Sequence, residues 1–351
     1  MAKIAVIAGD GIGQEVVPEG LRVLSALDEA HGLGLELEHF DLGADRYLRD
    51  GTTMPAELME RFRNEFDAIF LGALGDPRVP SNVHAKEILL GSRFKLDLFI
   101  NLRPVKLLDK KRCPLKKKGP KDIDMVVFRE NTEGLYTGIG GQFKRGTPDE
   151  VAIEAEMNTR KGVERIIRAA FAYAHQHGLP SVCMSDKSNA MRHGHDLWQR
   201  TFKEVAAEYP DIEAFHLFVD VLCMELVRVP ERFDVIVTNN LFGDIVTDLG
   251  AQRQGGIGLA ASGNLHPGQV SLFEPVHGSA PDIAGKGLAN PIATHMSAGM
   301  MLTHLGHPEL EKQILAGVQK CLAAGEVTRE LGGDLHTSAV TDALLGHLGL
   351  A

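Results

Sequence analysis

Asp244 and Asp248 stand four residues apart in NNLFGDIVTDLG, a spacing that puts both carboxylates on one face of a helix. Two such groups repel each other unless something positive lies between them. Together with Asp220 they form a candidate metal set, and hard oxygen ligands select Mg2+ or Mn2+ rather than zinc. The alternative is a pair of solvated surface aspartates, against which stand the apolar neighbours Leu241, Phe242, Ile245 and Val246. Arg93, Arg103 in NLRP and Arg129 in FREN each present a planar fork that matches a carboxylate in bidentate fashion. Three converging forks would suit a di- or tricarboxylate; taken singly, each could serve a surface ion pair. Lys187 in MSDKSNA follows a strand-like run at 181–185, the strand end at which α/β sheets place ligands. Partial burial or an adjacent metal would lower its pKa enough for it to act as a base. Tyr136, one of four tyrosines, sits among glycines and acids in ENTEGLYTG and is the second candidate for proton transfer. A surface lysine and a packing tyrosine are the alternatives.

Gly9-Asp10-Gly11-Ile12-Gly13 falls after a strand pattern and before a helix pattern. The dinucleotide spacing G-x-G-x-x-G fails, because the third glycine comes one residue early. The run reads as a turn in which backbone approaches some ligand closely, not as a dinucleotide fingerprint.

The elements that must position these residues alternate. Residues 3–8, 34–40 and 67–72 read as strands, and 12–31 and 55–65 as helices. Strands follow near 123–128, 181–185 and 233–237, with helices near 160–177, 194–208 and 240–253. Apolar runs of this kind, alternating with helical spacing, imply an α/β fold with both sheet faces covered. Residues 134–157 read as a protruding β arm, 255–290 as glycine-rich loop with one strand (VSLFE), and the chain from about 295 as helical. No fixed-period repeat is visible.

Composition narrows the function classes. The 351 residues are 44% hydrophobic and 24% charged, with a net charge of −10, which disfavours nucleic acid as a partner. A basic stretch, Lys110, Lys111, Arg112 and Lys116 to Lys118, lacks aromatic interleaving and reads as a solvated loop. No run is long and apolar enough for a membrane span, and the opening MAKIAVIAGDG lacks the features of a secretory signal, so a cytoplasmic protein is expected. Cys113, Cys183, Cys223 and Cys321 are widely spaced, with no CxxC pair and no Cys/His cluster; this argues against zinc and disulfides and for buried thiols.

The motifs together resemble the β-decarboxylating dehydrogenases, the isopropylmalate/isocitrate dehydrogenase-like family. The matching segments are AGDGIG at 8–13, LGALG at 71–75, NLRP at 101–104, RENTEG at 129–134 and DKSN at 186–189. They continue with FDVIVTNNLFGDIVTDLGA at 233–251 and EPVHGSAPDIAGKGLANP at 274–291. The resemblance implies a two-domain α/β fold with a large mixed sheet flanked by helices and a protruding β arm. Residues 1–98 and 252–351 would contact nucleotide, and 99–251 would bind substrate and metal and form the dimer. It implies that Arg93, Arg103 and Arg129 hold malate carboxylates and that Asp220, Asp244 and Asp248 ligate the metal. Lys187 would take the hydroxyl proton, and Tyr136 would act in decarboxylation and enol protonation. A homodimer is implied, with Lys187 and Asp220 given by one chain and the arginines by the other.

For the cofactor, the resemblance implies contacts from Ile12, Gly72 and Ala73, and a cradle from His277, Gly278, Ser279 and Ala280 with Asn290. Asp282 and Ile283 would meet the adenosine ribose, where a carboxylate accepts from ribose hydroxyls and repels a 2′-phosphate; this selects NAD. Leu89 and Leu90, one turn before Arg93, resemble the apolar reader of a 3-isopropylmalate side chain. Lys86, RENTEG and Ala190 depart from that pattern and leave homoisocitrate, isocitrate, D-malate or tartrate as alternatives. Intact arginine, lysine and aspartate positions argue against a non-catalytic regulatory subunit.

Overall fold

The computed structural model describes residues 1–350. The chain divides into two compact units: Met1–Leu98, Lys106–Pro120 and Ala251–Ala351 in the first, Phe99–Val105 and Lys121–Gly250 in the second. Residues 106–120, with the basic run, belong to the first unit rather than to 99–251, where the family resemblance places them.

Strands and helices are numbered along the chain. The first unit holds β1 (Ala2–Gly9), β2 (Leu35–His39), β3 (Ala68–Ala73), β11 (Ala261–Leu265) and β12 (Ser271–Pro275). Their order is β2-β1-β3-β12-β11. All neighbours run parallel except β11, which is antiparallel to β12. Every residue of β3 is buried, which is why it reads as a continuous apolar run rather than an alternating one. The stretch 255–290 thus contains two strands, not one: Ala261–Leu265 lacks any apolar alternation and takes its strand form from pairing with β12. Helix α1 (Gly13–His31) buries Val16, Val17, Val23, Leu24 and Leu27, an apolar stripe at helical spacing. Helices α2 (Ala44–Asp50), α3 (Ala56–Glu65), α4 (Val83–Ala85), α5 (Gly91–Lys95), α10 (Ile292–His304), α11 (Pro308–Ala324) and α12 (Thr337–Leu348) complete the unit.

The second unit orders β4 (Ile100–Lys106), β5 (Asp124–Glu130), β8 (Ser181–Asp186), β9 (Glu213–Phe218) and β10 (Val235–Thr238) as β4-β5-β10-β8-β9. Strand β10 is parallel to both β5 and β8, and β8 to β9. Helix α6 (Arg160–His177) buries Val163, Ile166, Ile167, Ala170, Phe171 and Ala174. It starts at Thr159, whose side chain accepts from Gly162 N, and ends at the left-handed Gly178. Helices α7 (Gly194–Ala206), α8 (Val219–Arg228) and α9 (Asn240–Gln254) follow. The arm is an antiparallel hairpin of β6 (Gly140–Phe143) and β7 (Val151–Glu154), exposed along its whole length.

Among the described residues no helix is long and apolar enough to cross a membrane. None of the four cysteines forms a disulfide; Cys183 and Cys321 are buried, while Cys113 and Cys223 are partly exposed, so the expected burial holds for two of them.

Two tests of the first unit follow from its packing. A Cβ on Gly13 would lie 2.2 Å from Ala8 O and 2.7 Å from Ala73 N, so Gly13→Ala should destabilise by about 1–3 kcal/mol, read as a lowered denaturation midpoint. His295, fully buried in α10 with Nε2 3.1 Å from Thr341 Oγ1, has its pKa pushed down to about 3, first by burial and then by Arg22. The unfolded chain takes up this proton near the ordinary 6.5 and the folded chain only near 3, so stability is lost as pH falls through that window. His295→Gln should reduce the pH slope of the denaturation midpoint there by up to one proton's worth.

Candidate active site

Strands β4 and β5, the turn of Tyr136 and helix α9, all in the second unit, bring Arg103, Arg129, Tyr136, Asp244 and Asp248 together. In β4, Asn101 and Arg103 are two residues apart and share a face. Asn101 Oδ1 accepts from Arg103 Nε at 2.8 Å, which fixes a guanidinium that is itself buried. Neighbouring β5 ends on Arg129, almost wholly buried. Its Nε and NH2 both donate to Asn240 Oδ1, at 3.0 and 2.8 Å, and its NH1 pairs with Asp244 Oδ1 at 2.5 Å. Space for that side chain exists because residue 243 is glycine: a Cβ there would stand 2.5 Å from Arg129 Cγ. Tyr136 Oη donates to the other Asp244 oxygen at 2.7 Å, and the Arg129 guanidinium lies 5.2 Å from the tyrosine ring centre.

The electrostatics of α9 divide its two aspartates. Partial burial works to raise Asp244, but Arg129, the Tyr136 hydroxyl and Arg103 outweigh it and hold the carboxyl below its usual value. Asp248 is shifted up, by desolvation and then by repulsion from Asp244, although it remains open to solvent. Asp244 therefore has a directly bonded counter-charge, whereas Arg103 and Arg129 act on Asp248 only through space and do not offset the upward shift. A hard divalent cation would offset it, so the donor set fits Mg2+ or Mn2+.

Asp220, at the start of α8, keeps company with Lys187 instead. Lys187 Nζ donates to Asp220 Oδ1 at 2.7 Å, and that hydrogen bond lowers the aspartate's pKa. Lys187 directly follows β8, and the turn that carries it is anchored from below. Its backbone N–H donates to His195 Nδ1 at 2.8 Å, so that nitrogen carries no proton. Nε2 of the fully buried His195 then faces the Glu156 carboxylate at 3.2 and 3.3 Å. Asn239 Nδ2 donates to Glu156 Oε1 at 2.6 Å, while Asn239 Oδ1 accepts from Phe242 N at 2.9 Å and caps α9. A buried Glu–His–Asn bridge thus joins the Lys187 turn to the helix of Asp244 and Asp248. His195, Glu156 and Asn239 are absent from the sequence reading. Their only signal there is the double asparagine at the head of α9, whose two members take different tasks.

The first unit places the nucleotide candidates and Arg93. A cavity of about 150 Å3 is lined by Ile12, His277, Ala280, Ile283 and Asn290, with Ile257, Leu288 and Glu330 among its other walls. His277 is buried, its pKa lowered by that burial, and its Nε2 has no hydrogen-bond partner, so it offers a neutral polar atom to a ligand among apolar walls. Asn290 donates to Gly258 O and accepts from Ile292 N; it builds the wall through bonds to protein. Ala280 holds a positive φ of 39°, a strained backbone of the kind found where a ligand is clamped. These features fit an adenosine moiety. Asp282 and Gly278 are exposed and Ser279 is buried, all three in the segment that supplies the cavity's walls.

Gly72 and Ala73 lie in buried β3, and the space a Gly72 side chain would need is taken by Ala8 O and Val17. The Gly9–Gly13 turn is likewise packed against protein. Ile12 N donates to Ser279 O at 2.8 Å, and Asp10 N to Ala73 O at 2.6 Å. Its glycines admit neighbouring backbone, where the sequence suggested approach to a ligand. Asp10 is the brace of this region: its carboxylate accepts from Ala44 N and Gly75 N and pairs with buried His84 at 2.7 Å.

Arg93, on α5, is buried and pairs with Glu274 Oε1 at 3.2 Å, leaving its Nε without a partner. Before it, Lys86–Leu90 form a π-helical turn, with Gly91 N reaching back to Lys86 O. Leu89 and Leu90 are partly buried, Leu89 against the core of the unit, and Lys86 and Glu87 are exposed.

The bridge under Lys187 can be tested by keeping or removing its acceptor. His195→Asn retains an oxygen where Nδ1 stands, whereas His195→Leu does not. The leucine variant should lose roughly 10–100-fold in kcat with a smaller change in KM. The asparagine variant should recover part of that loss at a similar denaturation midpoint.

Residues 3–344 match the family described as isocitrate/isopropylmalate dehydrogenase. A protein named 3-isopropylmalate dehydrogenase from Thermobifida fusca is 52% identical over 314 residues, covering 89% of this chain and 88% of the relative. One of the same name from Frankia casuarinae is 50% identical over 346 residues, covering 96% and 99%. Among solved structures, isocitrate dehydrogenase from Methylococcus capsulatus superposes with a TM-score of 0.90 at 36% identity, covering 99% of each chain. The chain belongs to the isocitrate/isopropylmalate dehydrogenase family.

Proposed function

We propose that this chain catalyses the NAD-dependent, Mg2+- or Mn2+-dependent oxidative decarboxylation of 3-isopropylmalate, a step of leucine biosynthesis. The observation that carries the substrate assignment is about 50% identity, over most of the chain, to relatives named for that substrate. The partly buried Leu89 and Leu90 before Arg93 support it. An isopropyl group against two leucines gains roughly 1–3 kcal/mol over a poorly fitting group, whereas a carboxylate there would lose its hydration to apolar side chains.

Bound NAD would accept the hydride, and a bound Mg2+ or Mn2+ would supply positive charge at the 2-hydroxyl and its neighbouring carboxylate. Asp244, Asp248 and Asp220 would hold the cation. Arg93, Arg103 and Arg129 would hold the substrate carboxylates, Arg129 exchanging its bond to Asp244 for one to substrate. Lys187 would receive the hydroxyl proton, its turn held by His195. Tyr136 Oη, already donating to Asp244, would deliver a proton to the enol carbon after CO2 leaves.

Ile12, His277, Ala280, Ile283 and Asn290 would enclose the adenosine, with Gly278 and Ser279 in the same segment. The exposed Asp282, and Glu330 at the cavity wall, favour NAD, because carboxylates here repel a 2′-phosphate. Gly72 and Ala73 would act through the packing that shapes the Gly9–Gly13 turn. The homodimer is supported by apolar side chains left exposed in the second unit: Phe143 and Ile153 on the arm, Met224 on α8 and Ile245 on α9. Lys187 and Asp220 of one protomer would then complete the arginine and aspartate set of its partner, in a cytoplasmic enzyme.

A second reading, a dehydrogenase of isocitrate or homoisocitrate, is favoured by exposed Lys86, a cation three residues before Leu89. Reduction of NAD and NADP by the purified protein with Mn2+ separates the two readings, using 3-isopropylmalate, isocitrate, homoisocitrate and D-malate. The expected result is a kcat/KM at least about tenfold higher for 3-isopropylmalate with NAD. Preference for a tricarboxylate, abolished by Lys86→Ala, would replace the substrate assignment and leave the reaction class intact.

A further inference from the structure

A second group of metal-ligand side chains lies in the first unit, on α11, its C-terminal turn and α12. Cys321 belongs to α11 and is 1% exposed. The helix ends at Gly325, whose φ of +77° turns the chain so that Glu326 N donates back to Cys321 O at 3.0 Å. That turn returns the Glu326 carboxylate to the helix it has just left. Helix α12 supplies His347, with Nε2 2.7 Å from Glu326 Oε2. Cys321 Sγ, a Glu326 carboxylate oxygen and His347 Nε2 all lie within 4.8 Å of one another.

We propose that Cys321, Glu326 and His347 form a Zn2+ site with a water as fourth ligand. Tetrahedral zinc, with bonds of about 2.3 Å to sulfur and about 2.0–2.1 Å to nitrogen and oxygen, requires ligand atoms roughly 3.3–3.6 Å apart. The 4.8 Å limit on the present separations and the 2.7 Å between His347 and Glu326 bracket that spacing, so side-chain shifts on the order of 1 Å would be needed. A thiolate, an imidazole and a carboxylate select a borderline-soft cation and reject Mg2+, which requires six oxygen ligands. The site is therefore chemically separate from the carboxylate set of α9.

An ion pair of His347 with Glu326 explains two of the three groups, but not the thiol directed at the same point. Burial, and then the Glu326 carboxylate, hold that thiol up at about 11. Without a cation it keeps its proton; zinc entry expels the proton and puts a positive charge beside two anions. The Glu326 and His347 side chains are 43% and 30% exposed, so the cation has a path in. Once bound it would tie the end of α11 to the end of α12. The wide spacing of the cysteines and the absence of CxxC argued against zinc; the ligands come together only through the Gly325 turn and the helix pairing.

The test uses the full chain, stripped with chelator and then held in saturating Mg2+ to occupy the aspartate set, and titrates it with Co2+. We expect one Co2+ per chain, an intense near-ultraviolet thiolate-to-cobalt band, and displacement by Zn2+. Cys321→Ser should abolish the band and the Zn2+-induced rise in denaturation midpoint while leaving Mg2+-supported turnover unchanged. His347→Gln should weaken Co2+ binding at least about tenfold. A spectrum without the thiolate band overturns the proposal. So does Co2+ uptake that survives Cys321→Ser and disappears in Asp244→Asn.

Discussion

Two carboxylates one helical turn apart on a half-buried surface set the conditions for the second unit. At the ~6 Å typical of i,i+4 neighbours and an effective dielectric near 20, their repulsion is about 3 kcal/mol before screening. The chain answers it on one side only. Arg129 and Tyr136 bond Asp244, and the field of Arg103 reaches both aspartates. Asn101 and Asn240 in turn aim the two guanidinium groups. Gly243 is required for the same reason, since any side chain there would displace the arginine that neutralises the aspartate beside it. What is left over is the raised carboxyl of Asp248, an imbalance that a bound cation would relieve.

The first unit is organised by backbone contact instead of charge. Its turn after β1 is pressed between Ala73 and Ser279, and the carboxylate of Asp10 gathers amides from two other segments. The result is a rim for a largely apolar cavity in which one buried imidazole nitrogen is left without a protein partner. A pocket that recognises a flat heterocycle needs little more than fixed walls and one or two placed polar atoms.

The sequence shows the regular elements well where burial is two-sided or where apolar residues keep helical spacing. The runs at 3–8, 67–72, 160–177 and 240–253 correspond to β1, β3, α6 and α9 within a residue or two. It hides elements held by their neighbours, such as Ala261–Leu265, whose strand form comes from β12. The candidate site residues stood out through the motifs that carry the family resemblance; taken singly, their types and spacing left a solvated or packing role open. The residues that orient them did not: Glu156 lies 39 positions from His195 and 83 from Asn239, and only the fold makes them adjacent. The glycines of 9–13 illustrate the opposite error, since a glycine that admits a ligand and one that admits another strand look alike in sequence.

The π-helical turn at Lys86–Leu90 carries a consequence for how specificity can change. Such a turn holds one residue more than an α-helix needs to cover the same rise. Removing a single residue there would restore α geometry with the flanking turns still in register, and would change which side chains of 86–90 precede Arg93. Arg93 itself, fixed by Glu274, would stay in place. A different set of side chains would then neighbour the arginine without a single substitution among them. Under the proposed function, substrate choice in this segment is a matter of register as much as of residue identity, and a one-codon deletion would reset the positions of Leu89 and Leu90 together.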